Sequence, residues 1–230
     1  SGTGMVMNAL NYKLVRDLWK LRGQVLAISL VVACGIAIFI AMMSTYQSLD
    51  TSQASYYQQY QLAQVFARLK RAPEPLADQI QAIPGVAQVQ TRVVVDVTLD
   101  VPGRKEPAIG RLISLPERQA PMLDDVYLRQ GRYIEPGRAE EVLVSEAFAT
   151  ANHLQLGATI GAIVNGRWQR LTIVGIALSP EYVYEIRAGD LIPDNQRFGV
   201  LWIGRKALGT AFNLDGAFND VALSLAPKTN

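Results

Sequence analysis

The stretch "LRGQVLAISLVVACGIAIFIAMMSTYQ", residues 21–47, decides how the rest of the chain is read. Cations precede it, no charge interrupts it from Val25 to Met43, and polar residues close it. As a helix, Val25–Met43 spans roughly 28 Å, close to the hydrocarbon thickness of a bilayer. A buried core helix would seldom lack a polar face over five turns. "VVAC" at 31–34 loosely fits a lipoprotein signal, but processing at Cys34 would leave "GIAIFIAMM" at the new N-terminus, where a polar tether is expected. A cleaved secretion signal fits poorly, because the run is too long and lacks a small-x-small site before Ser44. The remaining reading is a permanent membrane span over residues 24–44. Lys13, Arg16, Lys20 and Arg22, opposed by Asp17 alone, place its N-terminal side in the cytoplasm and everything after Ser44 outside, which in a two-membrane bacterium is the periplasm.

Residues flanking the span extend this reading. Residues 1–6 read as a tag or cloning remnant, with Met5 or Met7 as the natural start. "NALNYKLVRDLWKLR" places Leu10, Leu14, Leu18 and Leu21 along one helical face, with Trp19 beside them and Lys13, Arg16 and Lys20 opposite. Residues 7–23 are therefore expected to form an amphipathic helix in the membrane interface, with Lys13, Arg16, Trp19, Lys20 and Arg22 at the head groups. Residues 45–61, rich in Gln, Ser and Tyr and free of Pro and Gly, can continue the helix as a stalk.

Composition excludes several classes of function. The net charge of the chain is +2, and the cationic flank accounts for +3, so the remainder sums to about −1 and lacks the basic patch of a nucleic-acid binder. Cys34 is the single cysteine, so the external part has neither a disulfide nor a thiolate metal site. No phosphate loop and no G-x-G-x-x-G occurs, and His153 has no identifiable catalytic or metal partner. Asp124-Asp125 and Glu140-Glu141 read as solvated pairs rather than acid/base machinery. The expectation is a chain with no catalytic residues, no cofactor and no metal. Tyr182 and Tyr184, two apart in "EYVYEI", either anchor a loop or form a contact surface for a partner.

The external sequence reads as mixed α+β. "LAQVFARLK" is a strand, and "EPLADQIQAIPGV" is a helix facing inward through Leu76, Ile80 and Ile83 and stopped by Pro84 and Gly85. Val93, Val95, Val97, Leu99 and Val101 alternate with mostly polar residues, marking a strand with one buried face. Pro102-Gly103 suits a type II turn leading to "AIGRLISL" as hairpin partner. "EEVLVS" is a strand, "EAFATANHL" a short helix, and Asn165-Gly166 sits between two alternating runs as a hairpin turn. Residues 179–199 form an ordered loop; "VLWIG" and "DVALSL" are late strands, with "RKALGTAF" as a helix between them. The expected division is one subdomain from residues 62–115 and 205–230, interrupted by a strand-rich subdomain over 116–204.

With these phrases in place, "LWKLRGQ", "VFARLKRAP", "AIPGVAQVQTRVVVDV", "GRYIEPGRAEEVLVSEAFA" and "LTIVGIALSPEYVYEI" together resemble the FtsX-like, MacB-like permease subunits of bacterial ABC transporters. The resemblance covers nearly the whole chain after the tag and contains no catalytic signature. It implies a βαβ-containing periplasmic core domain interrupted by a strand-rich one, a span that is the first of at least four in a longer inner-membrane protein, and a homodimeric or heterodimeric permease. It also implies a separate or fused cytoplasmic ATPase, and an external domain moved by that ATPase to engage a lipid, lipoprotein, peptide or other periplasmic partner. A single-pass anchored binding or sensor domain is the alternative that the residues alone leave open.

Overall fold

The computed structural model describes residues 22–59, 62–117, 122–182, 185 and 192–226. The chain divides into two units, one ending at Ser55 and the other beginning at Tyr56.

The described residues of the first unit are helical. α1 runs over Arg22–Gln59, through the apolar run and on into the Gln/Ser/Tyr-rich segment. Within it Leu26–Ser44 has a mean hydropathy of 2.7 and none of it is buried by protein. Leu26 and Phe39 are each about two-thirds exposed, so among the described residues nothing covers the apolar surface of this stretch.

The second unit is built from two sheets. β1 (Val65–Pro73), β2 (Val86–Arg92) and β10 (Ala217–Leu225) form the smaller one in the order β1-β10-β2. Both outer strands run antiparallel to β10 and hence parallel to each other, with α2 (Leu76–Gln81) as their crossover: a split βαβ unit. Leu76 and Ile80 pack against this sheet, whereas Ile83, expected on the same face, is 52% exposed beyond the helix end.

The larger sheet holds β3 (Val94–Asp100), β4 (Ala108–Leu115), β5 (Tyr127–Gly131), β6 (Glu141–Ser145), β7 (Thr159–Val164), β8 (Arg167–Leu178) and β9 (Phe198–Gly204). Its order is β5-β8-β6-β9-β4-β3-β7, and the further pairing of β7 with β8 closes β8, β6, β9, β4, β3 and β7 into a barrel. β8 makes this possible by its length: Arg167–Thr172 pairs with β7, and Thr172–Leu178 lies between β5 and β6. Closure leaves these strands without open edges.

Val97, Leu99, Leu112, Val142, Val144, Ile160, Leu171 and Leu201 belong to one core cluster with Phe148 of α3 (Glu146–Ala151) and Leu208 of α4 (Arg205–Ala211). A second cluster joins Ile113, Leu143, Phe198, Val200 and Trp202 to Met122, Val126 and Ile134 from the segment around β5. Strands β6 and β9 are thus buried on both faces, which is why "VLWIG" reads as a continuous apolar run rather than an alternating one.

The turns follow local chemistry. Asn165 (φ 46°) and Gly166 (φ 75°) take the two left-handed positions of the β7–β8 hairpin. Gly103 (φ 83°) follows Pro102, and Arg104 N–H donates to Val101 O at 3.1 Å, closing the expected type II turn.

The boundary between the two sheets lies at Val93 and not at Pro116. β3 and β4, expected with the first subdomain, belong to the barrel. A period-two pattern reports which face of a strand is buried and is silent about its neighbours. Here the chain changes sheets within one alternating run. The change is bridged by Asn219 of β10, which accepts from Val94 N–H and donates to Val94 O, both at 2.8 Å. Its side-chain amide replaces a missing strand neighbour. In chain order the barrel is thus inserted between β2 and β10 of the small sheet.

Candidate functional site

The main polar feature of the second unit is a buried group of charges at the end of β2. Register places Asp220, in the central strand of the small sheet, opposite Arg92 on one side and Arg68 on the other. Arg92 donates to Asp220 Oδ1 from Nε (2.9 Å) and Nη2 (2.6 Å), and Arg68 Nε lies 3.7 Å from Asp220 Oδ2. Arg92 also binds Glu181 through both terminal nitrogens, Nη1 in a short contact with Oε2 and Nη2 at 3.2 Å from Oε1. Glu181 comes from the 3₁₀ turn Pro180–Tyr182, which follows β8 of the barrel.

A third carboxylate, Asp124, precedes β5. Its Oδ2 is 3.7 Å from Arg92 Nη1, and its Oδ1 accepts the backbone N–H of Ala63 at 2.9 Å. Asp124 has φ 54°, a left-handed conformation that Asp tolerates better than most residues. Arg92, Asp124 and Asp220 are each no more than 5% exposed. The Phe66 ring covers the guanidinium at 5.6 Å.

Burial opposes the charge of Arg92, but its bond to Glu181 and the attraction of Glu181 and Asp220 outweigh it and hold its pKa above the ordinary arginine value. Burial pushes Asp124 up to about 6; the Ala63 N–H and Arg92 pull it down, while Glu181 and Asp220 push it further up.

The arrangement therefore joins six pieces of chain: residues 62–64, which follow α1 in sequence, β1, β2, the segment before β5, the turn after β8, and β10. A second arginine, Arg205 at the start of α4 after β9, ties barrel to small sheet. Arg205 donates to Thr91 O and Ala217 O, each at 3.0 Å, and to Glu74 Oε2 at 3.1 Å. A guanidinium suits both tasks, because its five donors lie in a fixed fork.

The other residues singled out in the sequence fall elsewhere. Tyr182 is partly buried, packs against the second apolar cluster, and has a buried hydroxyl. Burial raises the pKa of that hydroxyl above the usual tyrosine value, and the neighbouring charge of Glu181 raises it further. Tyr184 lies outside the described residues, as do Lys13, Arg16, Trp19 and Lys20; Arg22 begins α1.

The acidic pairs do not behave as pairs. Asp124 is buried in the charge group, correcting the expectation of a solvated loop, while Asp125 accepts the N–H of Val126 at 2.8 Å. Glu141 is buried and Glu140 exposed, as adjacent strand positions require. Arg132 binds Glu141 at 2.6 and 2.8 Å and holds its pKa below the ordinary carboxylate value. His153 is exposed in the turn after α3. Among the described residues no cluster of His, Cys, Asp and Glu is arranged to hold a metal ion.

Sequence reasoning passed over Arg92, Asp220 and Glu181. One signal was available in "AFNDVA": Phe218, Asp220 and Ala222 share a strand face, so an aspartate between two inward apolar residues must find a cation.

Residues 25–222 match the MacB-like periplasmic core domain family, and the chain belongs to that family. The resemblance drawn from its phrases is thereby borne out, together with the expected fold class, an N-terminal apolar helix followed by a mixed α and β domain. A comparison with curated protein sequences gives no match.

Among solved structures, the chain is similar to the extracellular domain of the noncanonic ABC-type transporter YknZ from Gram-positive bacteria, at 13% identity and a TM-score of 0.45, covering 71% of this chain and 83% of that one. The periplasmic region of MacB from Actinobacillus actinomycetemcomitans aligns at 13% identity and TM-score 0.40, covering 69% and 66%. A permease domain from Porphyromonas gingivalis aligns at 15% identity and TM-score 0.40, covering 70% and 72%.

Proposed function

We propose that this chain is the first membrane span and the external domain of an ABC transporter permease subunit in the bacterial inner membrane. Its N-terminus is cytoplasmic and its two-sheet domain periplasmic. Lys13, Arg16, Trp19, Lys20 and Arg22 hold the segment before the span at the cytoplasmic head groups. The subunit acts as a dimer with a like or related permease and with a cytoplasmic ATPase; the chain itself carries out no covalent chemistry. Hydrolysis in the ATPase is passed along the span and stalk into the external domain, which moves against a lipid, lipoprotein, peptide or periplasmic partner. Tyr182 and Tyr184 contribute to the contact with that partner, Tyr182 from a position packed against the second apolar cluster.

The observation that supports transmission is the tie between Ala63 and the charge group. A stalk can move a domain as a body only if the chain leading into it is fixed to that body. Here the Ala63 N–H is held by Asp124, in a cluster that also contains β2, β10 and the turn after the barrel strand β8. Movement of residues 62–64 would therefore be resisted by both sheets together. Such a mechanism needs two arrangements that the ATPase state biases differently.

The test is a cysteine at Gln53 in the intact gene product, co-expressed with its ATPase, and disulfide crosslinking between the two stalks. Crosslinking yield is expected to differ several-fold between nucleotide-free and ATP-trapped complexes. Equal yields in the two states would end the coupling reading.

A further inference from the structure

One end of the barrel holds a cavity of about 660 Å³. Strand register brings its walls together: β4 runs parallel to β9 and β6 antiparallel to it, so the end of β4, the end of β9 and the start of β6 lie side by side. The β7–β8 hairpin turn and α4, which follows β9, complete the lining. Small-molecule sites usually measure about 300–1,000 Å³, and barrel mouths are a common place for them.

The lining combines two chemistries. Val164, Ile203 and Leu208 belong to the first core cluster and are no more than 3% exposed, so the floor of the cavity is the end of the packed core. Arg138, Arg167 and Lys206 line it too, and each is exposed. They arrive from three separate segments: the turn before β6, the start of β8 and the start of α4. Glu117, the acid among the described lining residues, is held by backbone: Oε1 accepts from Lys206 N–H at 2.9 Å, and Oε2 from Gly137 N–H at 3.4 Å. Gly204 leaves room for this carboxylate, since a Cβ there would lie 3.2 Å from Oε1. Arg138 lies 3.8 Å from Glu135 and 3.7 Å from Glu140, loose exposed contacts that an incoming oxyanion can exchange.

An apolar floor binds hydrocarbon without direction. Guanidinium forks and an ammonium supply the direction, because they form charge-assisted bonds to carboxylate or phosphate oxygens. A neutral apolar molecule would leave the cations unused, and a bare oxyanion would leave the floor unused. We propose that this barrel mouth is a binding site for a small anionic amphiphile: its apolar part rests on Val164, Ile203 and Leu208, and its carboxylate or phosphate meets Arg138, Arg167 and Lys206. The inference does not rest on the coupling reading. Binding is measured with neither ATPase nor nucleotide, so its failure leaves the stalk-crosslinking result untouched.

The experiment is methyl NMR of the full chain in lipid nanodiscs, titrated with octanoate, octyl phosphate, octanol and inorganic phosphate, the free concentration of each being fixed against empty nanodiscs. Octanoate or octyl phosphate should shift the Val164, Ile203 and Leu208 methyl signals saturably, and octanol and inorganic phosphate should bind more weakly on the order of tenfold. Whichever amphiphile binds tighter identifies the head group. Arg167→Gln combined with Lys206→Gln, both at exposed positions, should weaken that amphiphile on the order of tenfold and leave octanol unchanged. No saturable shift at the three methyls, octanol or inorganic phosphate binding as tightly as the amphiphiles, or a double variant that binds like the parent overturns the site. The comparison of octanoate with octanol uses the unaltered chain, so it decides even where the double variant folds poorly.

Discussion

Replacing Arg92 by methionine keeps the length of the side chain and removes the charge shared by Asp220, Glu181 and Asp124. The three acids would not suffer equally. Glu181, with its side chain 15% exposed, can turn toward water, and Asp220 retains Arg68 at 3.7 Å. Asp220 and Asp124 nevertheless stay in sites no more than 5% exposed, where an unpaired charge is strongly unfavourable. Breaking a buried pair from one side costs about 3–5 kcal/mol, and the three-fold sharing places Arg92→Met in the upper half of that range at pH 7.5. For a domain of this size that is a fall in Tm of roughly 10 °C or more. At pH 5 Asp124, which burial pushes up to about 6, takes up its proton, so the loss should be smaller there. The readout is denaturant and thermal unfolding followed by the fluorescence of Trp202, which is 2% exposed and reports the core beside β9. A loss below about 1 kcal/mol, or an equal loss at the two pH values, would show that the acids do not depend on Arg92.

Three further outcomes follow from the same structure. Glu185, 4% exposed and accepting from Ser145 Oγ at 2.9 Å, is pushed up by burial to about 7. Its folded pKa lies above its unfolded one, so the folded state binds the extra proton and stability should rise by about 3 kcal/mol as pH falls from 8 to 5; Glu185→Gln should flatten much of that slope in unfolding measured against pH. Gly199→Ala would put a Cβ 2.3 Å from the Phe148 ring, so it should cost about 2–3 kcal/mol, and Phe148→Leu in the same chain should recover part of the loss in urea unfolding. Asn219→Ala leaves Val94 N–H and C=O without their partner and should cost about 2 kcal/mol, with hydrogen exchange increased at Val94 first; unchanged exchange there would rule out the bridging role.

Much of this architecture could be read from residue patterns because the relevant physics is local. The apolar run, the Asn165-Gly166 turn, the Pro102-Gly103 turn and the alternation from Val93 to Val101 each depend on a few neighbouring residues, and each has its expected form. What lay beyond reach depends on distant partners. The alternation at residues 93–101 does not reveal that the chain leaves one sheet at Val93, since Asn219 and Ser114 supply the bridging bonds from 125 and 21 residues away. Barrel closure is hidden for the same reason: it rests on β8 pairing with three strands, which its twelve residues permit but do not announce. The charge group was the least visible feature. Asp124 looks like a loop acid until Ala63, 61 positions earlier, is placed against it.

The pairing of β1 with β10 places the two ends of the two-sheet domain side by side. Val65 stands opposite Leu223, Gln64 N–H donates to Leu223 O at 2.8 Å, and Leu225 N–H donates to the Gln64 side chain at 2.6 Å. A body of more than 150 residues thus begins and finishes within one strand spacing of itself. In terms of chain geometry the domain is equivalent to a tight turn: a short linker, or a related body of different size, could take its place without changing the distance between its two ends.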